Sequence, residues 1–71
     1  MERNFYMPQA VWNAFRPWVK RHRINYEASG CGDGVVISLF DETENNINRF
    51  ANKLNRTASE IGLQKEVYSF K

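Results

Sequence analysis

Cations and aromatic rings alternate in one short segment of the chain, residues 12–23. In order, the segment contains Trp12, Phe15, Arg16, Trp18, Lys20, Arg21, His22 and Arg23. Cations neutralise phosphates and rings give bases a stacking surface, so this composition suits nucleic-acid binding. The same residues also fit an ordinary helix, in which Trp12, Phe15 and Val19 belong to the core and the cations form a solvated face. The sequence leaves both interpretations open.

A second group of cations recurs further along the chain at helical spacing. Arg49, Lys53 and Arg56 stand at positions i, i+4 and i+7, which places them in one stripe of a helix. If this stripe lies on the same side as the segment 12–23, seven cations line one surface. The sequence has no RNP-type strand, no GXXG loop flanked by helices and no helix-turn-helix spacing, so no nucleic-acid recognition motif accompanies these cations.

Trp18 is the candidate anchor of an interface. If Val19 points into the core, Trp18 points about 100° away from it around the helix. A tryptophan exposed in this way is typical of the centre of a protein interface. The alternative is that the indole folds over the edge of the domain and fills the side of the sheet.

The sequence contains no constellation of residues suited to catalysis or metal binding. One cysteine, Cys31, and one histidine, His22, can form neither a disulfide nor a structural zinc site. In a hairpin these two residues would be roughly 20 Å apart, too far for a thiol and its base. The glycines at 30, 32 and 34 suit a hairpin turn, because the segment opens a strand and lacks the lysine of a phosphate loop. We therefore expect no enzyme, no cofactor and no metal.

The whole chain is short and of ordinary globular composition. Its 71 residues are 42% hydrophobic and 25% charged, with a net charge of +2. This predicts one domain over residues 1–71 and excludes a multi-domain enzyme. Cations exceed acids in residues 1–30, so this half is expected to face an anion. The sequence shows no export signal and no apolar run of membrane length, which predicts a cytoplasmic protein that does not bind membranes.

Hydrophobic periodicity predicts the elements that must position these residues. Apolar residues recur at helical spacing in two segments and alternate with polar residues in others. The predicted elements are helices over residues 8–21 and 43–61, a β-hairpin over 24–29 and 35–40, and a last strand over 66–70. Residues 3–7 are either a short edge strand or a loose arm.

Local signals set the expected ends of both helices. Pro8 suits the first position of the first helix, and a break or kink is expected at Arg16–Pro17. Asp41 is the expected N-cap of the second helix, with Glu44 completing a capping box. Gly62 predicts a Schellman-type end for that helix.

The apolar pattern also predicts the register of the hairpin, because a one-residue slip would turn its apolar side chains to the other face. The predicted pairs are Ile24 with Leu39, Tyr26 with Ile37, and Ala28 with Val35. This register leaves a loop of residues 30–33. Val36 and Phe40 then lie on the opposite face, exposed or covered by a partner, and an exposed Phe40 would favour a homodimer through that face.

Together these elements predict an α+β fold in two layers, in which two helices cover one face of a small antiparallel sheet. If residues 3–7 form a strand, the order becomes βαββαβ. The expected function is that of a small non-enzymatic intracellular binding or regulatory protein, which docks an aromatic-basic surface on a macromolecular partner to block or modulate it. Short length, eight Asn and many aromatic residues are compatible with an inhibitor-type protein of a phage or mobile element.

One set of residues is expected to make the contact with the partner. It consists of Trp18, Arg16, Lys20, Arg21 and Arg23, flanked by Arg49, Lys53 and Arg56. The alternative function is direct binding of RNA or single-stranded DNA by the same surface. Salt separates the two functions, because binding to phosphates weakens steeply as salt rises.

Overall fold

Within residues 3–70, the part of the chain that the computed structural model describes, four strands and two helices follow one another in the order βαββαβ. The elements are β1 (Arg3–Pro8), α1 (Gln9–Arg21), β2 (Tyr26–Cys31), β3 (Gly34–Leu39), α2 (Glu44–Glu60), a single 3-10 turn (Gln64–Glu66) and β4 (Tyr68–Phe70). The predicted α+β class is confirmed, in the version with a strand at the start. The single domain predicted over residues 1–71 extends beyond the described residues at both ends and stays a prediction.

The strands form one antiparallel sheet in the order β2-β3-β1-β4. β1 was expected as an edge strand or a loose arm, but it lies inside the sheet, between β3 and β4. Each helix connects two strands that are not neighbours, and β2 and β3 form a hairpin. This is the split βαβ arrangement called ferredoxin-like. Because β1 and β4 are neighbours, the first and last elements of the chain meet in the sheet.

The hairpin forms, but its register is shifted by two residues from the predicted one. The observed pairs are Tyr26 with Leu39, Ala28 with Ile37, and Gly30 with Val35. The predicted register is wrong because a shift of two residues keeps every side chain on its face, so the apolar pattern fits both registers equally. The turn between paired residues shrinks to Gly32 and Asp33, and Gly32 makes it possible with a φ of +59°.

β2 is an edge strand with little cover from the helices. Ile24, predicted to begin this strand, is buried but lies before it. Tyr26 is half-buried. Ala28 lies on the same face as its buried neighbour Ile37, as predicted, but it is exposed and adds nothing to the core. Trp12 of α1 packs edge-on against Tyr26, with 5.4 Å between the ring centroids. Beyond Tyr26, the rest of β2 is open to solvent.

α1 is one helix that continues through Pro17. The alternative of a break at Arg16–Pro17 is therefore wrong, whereas the alternative of a kink stays a prediction; Pro8 is the N-cap and the last residue of β1 instead of the first helical residue. Pro17 is exposed, and on the solvent side a helix can curve to relieve the clash of the proline ring with the preceding turn. Four buried residues hold the other side of α1 on the sheet: Val11, Trp12, Phe15 and Val19.

α2 begins at Glu44, two residues later than an N-cap at Asp41 would place its start. Thr43 is the N-cap, and its Oγ1 accepts a hydrogen bond from the backbone N–H of Asn46 at 3.1 Å. Asp41 does not cap the helix, because it adopts a left-handed φ of +53° in the preceding turn, which Asp tolerates better than most residues. Glu44 is the first helical residue and not the partner in a capping box, so that prediction is wrong.

The predicted Schellman-type end of α2 is confirmed. The N–H of Leu63 donates to the carbonyl of Ala58 at 2.8 Å, and the N–H of Gly62, with a φ of +75°, donates to that of Ser59 at 3.1 Å. The last strand is shorter than the predicted 66–70. A 3-10 turn occupies the residues before it, and only Tyr68–Phe70 pair with β1.

Three phenylalanine rings join the two layers of the fold. The ring of Phe50 in α2 lies 4.8 Å, centroid to centroid, from Phe5 of β1 and from Phe15 of α1. The sheet contributes these buried side chains to the core: Phe5, Met7, Val35, Ile37 and Leu39. Both helices therefore cover one face of the sheet, as predicted. Neither helix of residues 3–70 combines the length and the apolar composition that crossing a bilayer requires.

Candidate functional site

A shallow groove between α1 and α2 brings the predicted anchor and the predicted basic stripe together. We call it the Trp18 groove. It is lined by Trp18 from α1 and by Arg49, Asn52, Lys53 and Arg56 from α2, and its volume is about 240 Å³. Because the indole comes from one helix and the cations from the other, the groove depends on the packing of the two helices against each other.

The register of α2 explains why its cations face solvent. Each residue turns the helix by 100°, so Arg49, Lys53 and Arg56 fall within about 60° of one another, roughly 120° from the mean direction of the buried residues. Arg49 and Arg56 are exposed, whereas Lys53 is half-buried, as expected of a lysine whose stem packs along the surface while its ammonium stays in water. Glu60 follows on the same side and ends the stripe with the opposite charge.

Trp18 is held in place by rings of its own helix. The indole stacks on Phe15, with centroids 5.5 Å apart and 16° between the planes, and on His22 at 4.2 Å and 27°. Nδ1 of His22 also lies 2.9 Å from the carbonyl oxygen of Trp18. The indole packs against the core yet remains half-buried, so it is neither fully exposed nor fully covered. Its uncovered part lines the groove.

The other predicted cations lie elsewhere on α1 or beyond it. Arg16 and Lys20 are each two residues from Trp18, which turns them about 160° away from the indole around the helix. Arg21, three residues after Trp18, lies about 60° from it and extends the basic surface past the groove. Arg23 follows the helix in a turn with a φ of +52°. All four are exposed, and none of these four lines the groove.

Cys31 and His22 have separate surroundings. Cys31 ends β2 and is exposed, as expected for a residue at the tip of the hairpin. His22 follows α1 and belongs to the stack around Trp18. Among residues 3–70, no three His, Cys, Asp or Glu side chains come together as a group that could hold a metal ion. The described residues thus offer the groove, and not a thiol centre, as the main candidate site.

The sheet face that the helices leave uncovered carries aromatic side chains that the sequence analysis missed. Neighbours across two strands share a face, which places Tyr6 of β1 beside Val36 of β3 and Tyr68 of β4. The rings of Tyr6 and Tyr68 stack with centroids 5.2 Å apart, and Phe70 lies 5.9 Å from Tyr68. The alternation of Tyr68 and Phe70 indicated a shared face, but no signal placed that face beside Tyr6.

Val36 and Phe40 are both half-buried. Val36 shares the helix-free face with Tyr6, as its predicted orientation requires. Phe40 follows β3, and its backbone N–H donates to the carbonyl of Asn25 at 3.4 Å. The homodimer predicted through these two residues stays a prediction.

Comparison of the chain with protein-family models, with curated proteins and with solved structures gave no match. The protein can therefore be described only by its architecture and by the residues of its groove. It is a small two-layer α+β protein with ferredoxin-like strand order, carrying a basic groove beside a tryptophan.

Proposed function

We propose that this chain is a small non-enzymatic binding protein that docks on an acidic surface of a protein partner and blocks or modulates it. The observation that carries the proposal is the Trp18 groove, in which a half-buried indole lies beside Arg49, Lys53 and Arg56. Tryptophan and arginine are the residues that most often dominate the energy of a protein interface. Arginine also makes paired hydrogen bonds to carboxylates. The groove therefore suits Asp or Glu side chains arranged around one apolar side chain.

The packing of Trp18 favours a protein over a nucleic acid as the partner. Base stacking needs a free ring face, whereas Trp18 already stacks on Phe15 and His22. The three cations of the groove neutralise few phosphates, and the net charge of the chain is only +2. Carboxylates can approach the groove from its rim without a free indole face, so an acidic protein surface fits it better.

Direct binding of RNA or single-stranded DNA is the competing function, and salt dependence separates it from protein docking. Fluorescence anisotropy of labelled single-stranded and duplex oligonucleotides should show no binding at physiological salt. The opposite result would be measurable binding. Its association constant would then fall with salt concentration, with a log–log slope of about −3 or steeper. If Lys53→Glu removed that affinity, the groove would be a phosphate site and the proposal would be wrong.

Charge reversal on two sides of the molecule tests protein docking directly. The immobilised wild-type chain captures proteins from a nuclease-treated extract of its source cells. The double variant Arg49→Glu with Lys53→Glu should lose the captured protein, because its groove repels carboxylates. The matched double variant Arg16→Glu with Lys20→Glu makes the same change in charge on the side of α1 turned away from Trp18, and it should retain the protein.

Equal loss of capture in the two double variants would contradict the proposal, because net charge and not the groove would then hold the partner. Urea unfolding of both variants serves as the folding control. All four substituted residues lie on the surface or partly on it, so we expect each substitution to change the free energy of unfolding by no more than about 0.5 kcal/mol.

The proposed setting of this function is the cytoplasm, where the exposed Cys31 would stay reduced. A homodimer through the face of Val36 and Phe40 is compatible with it. The Trp18 groove lies between the helices, on the other side of the sheet, so docking of a partner and pairing of two copies use different surfaces.

A further inference from the structure

We propose that the helix-free face of the sheet binds a second copy of this chain, with the two-fold axis running along the strands. The inference goes beyond the docking function, because it concerns the opposite side of the molecule, and it adds an aromatic group and an axis to the homodimer predicted through Val36 and Phe40. Side chains on this face form rows that cross the sheet. One row contains Tyr68, Tyr6, Val36 and Ser29, and the next contains Phe70, Asn4, Ser38 and Glu27.

One half of the face carries large side chains, and the other half carries smaller ones. Tyr6, Tyr68 and Phe70 form one aromatic group on β1 and β4, whereas β2 contributes Ser29 to the same row as two of these rings. On the β2–β3 side, a depression of about 470 Å³ is lined by Asn4, Glu27, Ser38, Leu39, Phe40 and Asp41. A two-fold axis along the strands places the bulky half of each copy over the small half of the other, so the face complements itself.

The polar groups in the middle of the face are already paired within the chain. Oγ of Ser38 donates a hydrogen bond to Oδ1 of Asn4 at 2.6 Å. Covering this pair costs less than covering free polar groups, because a buried donor without a partner loses its hydrogen bonds to water and gains none in return. Gly34 lets the ring of Tyr6 lie close over β3, since a Cβ at Gly34 would come 2.7 Å from Cζ of Tyr6.

The charges favour a second copy over a nucleic acid on this face. Among the strand residues that the structure describes, Glu27 is the one charged side chain that the register places on the helix-free side. Asp41 lines the depression beside it, and the cations of the groove stand on α2, on the other side of the sheet. A polyanion would meet rings and carboxylates without cations. A second copy brings an aromatic surface whose one charged strand residue, Glu27, lies on the edge strand β2.

The size of the face predicts a dimer of moderate strength. The largest faces of a body measuring 29 × 22 × 18 Å cover roughly 640 Å² each, so two copies bury at most about 1,300 Å², near the lower end of stable interfaces. We therefore expect the two copies to dissociate in the micromolar range of chain concentration.

Sedimentation equilibrium at chain concentrations from about 10 to about 500 µM tests the pairing. The mass of the wild type should rise from 8.4 kDa toward about 17 kDa. Tyr68→Lys should stay at the monomer mass, because it buries an ammonium in the interface. Ile61→Lys is the matched control: Ile61 is 45% exposed and Tyr68 58%, but Ile61 ends α2 outside the face, so this variant should dimerise. A monomeric wild type at the highest concentration would overturn the proposal.

Disulfide trapping tests the direction of the axis in a Cys31→Ser background. Ser29→Cys and Tyr68→Cys stand in one row but three strand spacings apart, roughly 14 Å, which excludes a disulfide within one chain. The proposed axis brings these positions together between the two sheets, where sandwich proteins do form disulfides. Oxidation of the double variant should give a covalent dimer, and Tyr68→Cys alone should give none. Efficient cross-linking of Tyr68→Cys alone would overturn the axis.

A nucleic-acid face is the remaining outcome of these measurements. If the wild type stayed monomeric but bound labelled single-stranded DNA, and if Tyr68→Lys abolished that binding while Ile61→Lys did not, the face would be a stacking platform. The pairing of two copies would then be wrong, whereas docking at the Trp18 groove would be unaffected.

Discussion

Gly34 shows how closely side chains and backbone approach on the helix-free face. A Cβ at this position would collide with the carbonyl oxygen of Met7, which β1 cannot move without disturbing its pairing with β3, and with the ring of Tyr6. We predict that Gly34→Ala lowers the free energy of unfolding by about 1–3 kcal/mol, measured by urea denaturation. Gly30→Ala is the control, because no atom lies within 4 Å of its added Cβ. Equal losses in the two variants would contradict this packing.

The role of Thr43 as the N-cap of α2 can be tested with a single substitution. Its hydroxyl accepts the hydrogen bond of the Asn46 N–H at the start of α2, so Thr43→Ala should destabilise the protein by about 1 kcal/mol in urea unfolding. Ser59→Ala, at an exposed position near the other end of the helix, should have an effect near zero. A Thr43→Ala variant as stable as the wild type would mean that another residue caps α2.

The continuity of α1 through Pro17 has a measurable cost in stability. Residue 17 has no N–H for the carbonyl of Asn13, and a proline inside a helix costs up to about 3 kcal/mol relative to alanine. Because Pro17 is exposed, Pro17→Ala should stabilise the protein by about 1–3 kcal/mol in urea unfolding. Lys20→Ala, on the exposed side of the same helix, should change little. A less stable Pro17→Ala variant would show that α1 needs the bend that proline imposes.

A helix or strand could be predicted where its apolar pattern repeated over several turns and where a residue at its end signalled that end. Helix α2 shows a stripe of apolar residues over four turns, and Gly62 ends it as expected. The register of the hairpin was not predictable, because a shift of two residues preserves the face of every side chain. The side chain of Asp41 suits an N-cap as well as that of Thr43 does, and only the backbone conformation of Asp41 excludes it.

The candidate site was predictable in its residues but not in its assembly. Trp18 and the stripe beginning at Arg49 were expected, and their meeting in one groove follows from two helices lying side by side on the sheet. The spacing of Arg16 and Lys20 already turned them away from Trp18 around the helix. The aromatic group of Tyr6 and Tyr68 could not be found from the sequence, because only the strand order brings the two ends of the chain together.

The two sides of the molecule differ in chemistry. The helix side carries the basic groove with Trp18, and the sheet side carries the aromatic face with Tyr68. Pairing of two sheets face to face would leave both grooves on the outside of the dimer. A chain of 71 residues buries a small core, so the proposed pairing would add to the stability of the fold.

The proposed pairing also predicts that the melting temperature depends on chain concentration. A folded dimer is stabilised by mass action, so the melting temperature of the wild type should rise when the chain concentration is increased tenfold. The melting temperature of Tyr68→Lys should not depend on concentration. Differential scanning calorimetry measures both. An equal rise in the two proteins would contradict pairing through the aromatic face.

The emission of Trp18 itself tests most directly whether the groove is the docking site. The chain has two tryptophans, and Trp12→Phe leaves Trp18 as the sole tryptophan reporter. Titration with the captured partner should shift its emission to shorter wavelength, because docking removes water from the half-buried indole. Adding the substitutions Arg49→Glu and Lys53→Glu to the Trp12→Phe variant should abolish that shift. Binding seen by calorimetry with unchanged Trp18 emission would contradict docking at the groove.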